Sequence, residues 1–83
     1  MLPKWFFPIT RLTRELEENG YTVDKVFDLQ RNYHVMKGGK EVAFFSRLWP
    51  FGSPEVEYGT DQTVRQILYR YTNQTIPYVE SAV

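Results

Sequence analysis

The chain contains no cysteine. That excludes disulfides, thiolate zinc ligands and thiol nucleophiles together. A small secreted domain often needs disulfide staples, so their absence points to a cytoplasmic setting. Histidine is almost missing as well. His34 is the only one, which excludes any site built on two histidines. Neither sign of charge is in excess, because ten basic and ten acidic residues cancel to a formal net charge of zero. A dedicated nucleic-acid binder draws much of its affinity from phosphate contacts and usually carries a basic excess. No apolar run approaches the roughly 18 residues of a membrane span. Met1–Ile9 carries Trp5, Phe6 and Phe7, but this apolar run is too short for a signal peptide and is broken by Pro3 and Pro8. There is no phosphate-binding glycine loop, no acidic cluster with calcium spacing, and no nucleophile motif around Ser46 or Ser53. The expectation is therefore no cofactor and no metal.

What the sequence does hold is apolar and aromatic material for one small core. The 83 residues are 42% hydrophobic and 17% aromatic, a composition that folds rather than one that stays disordered. The length suits a single domain over 1–83, with an irregular lead-in over 1–7 and an extended tail over 74–83.

Ile9, Leu12 and Leu16 recur at helical spacing from Ile9 to Asn19, with Pro8 suited to the first turn. Asn19-Gly20 is a stop signal. Tyr21–Leu29 reads as a strand, Gln30-Arg31-Asn32 as a turn, and Tyr33–Lys37 as a second strand. Gly38-Gly39 is a two-residue hairpin signal, which makes Glu41–Trp49 the third strand. Pro50–Pro54 is irregular, and Glu55–Tyr58 adds a short edge strand. Thr60 is the expected N-cap of a last helix, in which Val64, Ile67, Leu68 and Tyr71 recur at i, i+3, i+4 and i+7. The order α-β-β-β-(β)-α predicts an α+β fold of two layers, with an antiparallel sheet and two helices on one face.

The third strand is apolar on both sides. If Val42 and Phe44 face the helices with Val23, Phe27, Tyr33 and Val35, then Val26, Met36, Ala43, Phe45 and Trp49 gather on the other face. The chain's own termini, a second copy or another protein could cover that face. Trp49 and Phe51 lie on a loop constrained by Pro50 and Pro54, which suits interface anchors or plugs for the end of the core. Val26, Met36, Phe45, Trp49 and Phe51 are thus the candidate partner-binding residues. The favoured reading is a non-catalytic protein-interaction module, or a regulatory or inhibitory accessory protein. Its partner is another protein or a second copy of itself. Glu15, Glu17 and Glu18, like Arg65, Gln66, Tyr69 and Arg70, read as solvated helix faces. Ser81-Ala82-Val83 has the form of a PDZ ligand.

The alternative passes through His34, the one side chain whose unperturbed pKa lies near neutrality. On the same register it sits on the second face, near Arg31, Lys37, Lys40 and Arg47, which could hold phosphates while His34 acts as acid or base on an RNA phosphodiester. The element order resembles that of double-stranded RNA-binding domains and of HicA-type toxins, which cleave messenger RNA. Glu18-Asn19-Gly20-Tyr21 ends the first helix much as in HicA-type toxins. His34 lies in the hairpin region of that family's catalytic histidine. Gly59-Thr60 followed by Arg65-Gln66-Ile67-Leu68 is similar to its closing helix. The resemblance implies RNA cleavage through His34. The chain departs from the family at Asn32-Tyr33, where a glycine and a serine or threonine are expected, and in the spacing from Gly20 and from Thr60.

Overall fold

The computed structural model describes residues 9–47 and 54–78. Helix α1 spans Ile9–Glu18 and buries Leu12, Thr13 and Leu16, the stripe its periodicity predicts. The Thr13 hydroxyl donates to the Ile9 carbonyl at 3.0 Å, so a polar side chain enters the buried stripe with its proton satisfied. Two hydrogen bonds close the helix: Tyr21 N–H reaches Leu16 O at 3.0 Å, and Gly20 N–H reaches Glu17 O at 3.1 Å. Gly20 sits at φ 92°, as a glycine in this terminating motif does.

Four strands follow: β1 (Thr22–Phe27), β2 (Arg31–Lys37), β3 (Lys40–Arg47) and β4 (Glu55–Gly59). They pair antiparallel in sequence order. The Gly38-Gly39 hairpin forms as its sequence predicts, with both glycines at positive φ. The turn before β2 falls two residues earlier than expected. Arg31 and Asn32 are paired strand residues, and Leu29 is 91% exposed at the turn instead of closing β1.

Helix α2 (Gln62–Thr72) starts at Asp61, not Thr60. The Asp61 carboxylate accepts from Val64 N–H at 2.7 Å, and as a longer-reaching, charged acceptor it also receives the Tyr21 hydroxyl. Asn73 caps the other end in the left-handed conformation at φ 55°, which asparagine tolerates better than most residues. After it the chain turns back along the sheet. Ile76 is buried, Gly59 N–H donates to Pro77 O at 3.0 Å, and Gly59 bridges to Tyr78 in parallel. Residues 74–78 of the expected tail are thus packed against β4.

The register decides which side chains meet the helices. Three cross-strand rows face them: Val23–Val35–Ala43–Gly59, Lys25–Tyr33–Phe45–Val56 and Phe27–Arg31–Arg47. Tyr33, Val35, Ala43, Phe45 and Val56 join Leu12, Leu16, Val64, Ile67, Leu68 and Ile76 in one core. Each large aliphatic buried there contributes about 1.5–3 kcal/mol. Tyr33 and Phe45 stack at 4.8 Å between ring centroids. This corrects the expectation for β3: Ala43 and Phe45 are core residues, and Phe44 points away from the helices. The cause is the first of two irregularities. Val35 pairs with Ala43 while Met36 pairs with Glu41, which leaves Val42 as an extra residue; Phe44 pairs with Tyr58 while Phe45 pairs with Val56, which leaves Glu57 extra. Bulges of this kind reset the side-chain alternation.

β1 is an edge strand of this sheet. Val26, Phe27 and Leu29 are exposed at its far end. Lys25 sits in mid-strand on the helix-side row, the inward-pointing charge by which an edge resists pairing with another chain. Lys25→Val is expected to convert a concentration-independent sedimentation profile into one that shifts to larger species as concentration rises. An unchanged profile would show that Lys25 does not guard this edge.

Candidate interaction face

The other side of the sheet is built from Thr22–Met36–Glu41, Asp24–His34–Phe44–Tyr58 and Val26–Asn32–Ser46–Glu55. Among the described residues both helices pack on the opposite side, so no helix covers these rows. The middle row is the most organised. His34 and Phe44 stack with centroids 4.8 Å apart and planes 28° apart. His34 Nδ1 contacts Glu41 Oε1, and the Tyr58 hydroxyl donates to Glu41 Oε2. Three strands therefore converge on one carboxylate. An ionised carboxylate only accepts, so the Nδ1 of His34 carries the proton in this contact.

Opposing effects act on Glu41. Burial pushes its carboxyl upward, but the hydrogen bonds from Tyr58 and His34 and the charge of His34 outweigh it and hold it below the usual 4.5. Tyr58 is pushed up to about 12 by burial, by its hydrogen bond to Glu41 and by that carboxylate's charge. Glu41 is thus anionic and Tyr58 neutral across the physiological range.

Charge is segregated between the two faces. The open rows carry Asp24, Glu41 and Glu55 and no lysine or arginine, whereas Lys25, Arg31 and Arg47 all occupy helix-side positions. Lys37 and Lys40 pair at the hairpin end, and Lys37 Nζ lies 4.7 Å from the ring centroid of Tyr21, a core residue. The Arg31 guanidinium lies 4.6 Å over Phe27. The expected cluster of His34 with Arg31, Lys37, Lys40 and Arg47 is therefore not formed. Side chains alternate along a strand, and these cations have the opposite parity to His34. What His34 meets instead is a carboxylate.

Of the residues predicted to bind a partner, Val26 lies on the open face at 51% exposure and Met36 is half-buried on the same face. Phe45 is fully buried in the core. Trp49 and Phe51 lie outside the described residues, as does Ser81-Ala82-Val83. The sequence reading missed Asp24, Glu41, Phe44, Glu55 and Tyr58. The hairpin pairing of Glu41 with Met36 already sets it on the face of His34, seven residues away, but only the pairing of β3 with β4 brings Tyr58, seventeen residues from Glu41, to the same carboxylate. Glu15 is also more than a solvated acid, since it accepts from the Tyr71 hydroxyl at 2.8 Å and pairs with Arg70, tying α1 to α2.

No cluster of three or more histidine and acidic side chains arranged to hold a metal occurs among the described residues, and none of their helices is long and apolar enough to cross a membrane. No family model matches the chain, and no curated protein or solved structure matches it significantly.

Proposed function

We propose that this chain is a non-catalytic module that binds another protein on the open face of its sheet, and that the partner presents a basic surface there. The observation that carries the reading is the charge segregation. The face that no helix of the described residues covers holds a stacked His34–Phe44 pair, Tyr58 and Met36, framed by Asp24, Glu41 and Glu55. Aromatic rings beside an oriented carboxylate suit an arginine or lysine, which can stack on the ring and pair with the acid. The same acids repel phosphates, so RNA is the weaker fit. The cytoplasmic setting belongs to this proposal and rests on the cysteine-free composition.

The test is capture of the tagged protein's partners from its native host's lysate, with and without nuclease, for the wild type, Phe44→Asp and Glu41→Lys. The expected result is a basic protein that survives nuclease and is lost from both variants while both remain folded. Loss of tenfold or more in affinity fits removal of an aromatic anchor or reversal of a central charge. RNA enriched or shortened by the wild type, with no protein retained, would overturn the reading and direct attention to His34. A homodimer abolished by Phe44→Asp would also overturn it, because two acidic faces would then meet.

A further inference from the structure

On the far side of the molecule, an open groove of about 590 Å³ runs between α2 and the returning segment. Arg65, Gln66, Tyr69 and Arg70 line it from the helix, and Thr75 and Ile76 from the segment. No acidic side chain is among its lining residues. Arg70 is already tied to Glu15, so Arg65 is its principal cation.

Arg65 is held in place before any ligand arrives. Its stem lies on Gly59, where an added Cβ would come within 2.7 Å of Arg65 Cγ. Its guanidinium donates through Nη2 to Ile76 O at 3.0 Å and lies 5.4 Å from the centroid of the Tyr78 ring. Its Nε is buried without a hydrogen-bond partner among the described residues. A guanidinium fixed this way loses little freedom on binding, and its planar fork matches a carboxylate. Tyr69, 52% exposed, adds an aromatic wall.

We infer that this groove is a second binding site, and that it takes an extended acidic segment of a partner protein. An open groove encloses a small ligand poorly, whereas a peptide can lie along it. Such a peptide would place a carboxylate on Arg65, an apolar side chain against Tyr69 and Ile76, and its amide groups on the Gln66 amide and the Thr75 hydroxyl. The site is independent of the open sheet face and of opposite sign.

A random dodecapeptide library displayed on phage and selected against the intact protein tests the assignment. Enriched peptides are expected to carry aspartate or glutamate beside an apolar residue. The same peptides, made synthetically, should bind Arg65→Gln about tenfold or more weakly and should weaken as salt rises. Arg65→Gln also removes the bond to Ile76, so Gln66→Glu is the second variant. Gln66 is exposed, and the change adds a repelling carboxylate without touching the core. It should lower affinity comparably with the melting temperature unchanged. Phe44→Asp should leave these peptides bound. Selected peptides without acidic enrichment, no enrichment at all, or equal binding to wild type and Gln66→Glu would each overturn the inference.

Discussion

Phe45→Asp is expected to unfold the protein, while Phe44→Asp, one residue away, leaves it folded. Phe45 has no exposed surface and stacks on Tyr33 at the centre of the core. Truncating a buried phenylalanine costs about 3–5 kcal/mol, and an aspartate there adds a buried charge without a partner. A domain of this length has roughly 4–12 kcal/mol of stability in total, so the substitution removes most or all of it. Phe44 stands on the opposite face, half-buried against His34, where an aspartate remains hydrated. Circular dichroism and urea titration of the two variants check the contrast. A folded Phe45→Asp with an unfolded Phe44→Asp would mean that the sheet is turned over relative to the helices.

Asp61→Ala should be the next most damaging change, at roughly 2–4 kcal/mol, from the lost cap and a buried hydroxyl left without its acceptor. Asp61 starts α2 by accepting from Val64 N–H, and it receives the Tyr21 hydroxyl at 3.0 and 2.9 Å on its two oxygens. One carboxylate thus fixes the start of the helix and the approach to β1, forty residues earlier. Asp61→Asn keeps an acceptor and should cost less; equal losses in the two variants would rule out the capping role. The same contact gives an alkaline signature. Burial, the hydrogen bond to Asp61 and that residue's charge push Tyr21 up to about 12 from its usual 10. The folded state therefore holds a proton that the unfolded chain releases first. This contribution to stability is complete below pH 10 and is lost as pH rises through 12. Tyr21→Phe should flatten the decline in that window, in company with a residual slope from Tyr58.

The elements were legible wherever a local signal had one meaning. Leu12 and Leu16, and Val64, Ile67 and Leu68, could mark only helix stripes, and Gly38-Gly39 only a tight hairpin. Together they were enough for element order, antiparallel pairing and the two-layer fold. In β2 the alternation of Tyr33 and Val35 with His34 and Met36 also placed each side chain on its proper face. β3 defeated the same reasoning because Val42 and Phe44 are as apolar as Ala43 and Phe45, so hydrophobicity does not choose between parities. The choice is made by where Val42 is squeezed out of the ladder with β2, which depends on packing between strands. The candidate face inherits that error: Phe44, stacked on His34, appears there only after β3 is correctly registered. Asp61 was missed as the cap because Thr60, beside it, is also a capping residue by type. Ile76 was missed because a single apolar residue before Pro77 has no period to reveal it.

The displaced residue in β3 also joins two parts of the chain that sequence keeps apart. The carbonyl of Val42 accepts the Thr60 N–H at 2.8 Å, one residue before the cap of α2. Deleting Val42 would restore an unbroken ladder between β2 and β3 and leave the later β3 side chains on their present faces, yet it would take away the anchor that delivers Thr60 to the helix start. Insertion or deletion in this hairpin is therefore not a local event. Its length acts as a gauge for where the last helix begins, and chains of this design should accept changes in the identity of residue 42 far more readily than changes in its presence.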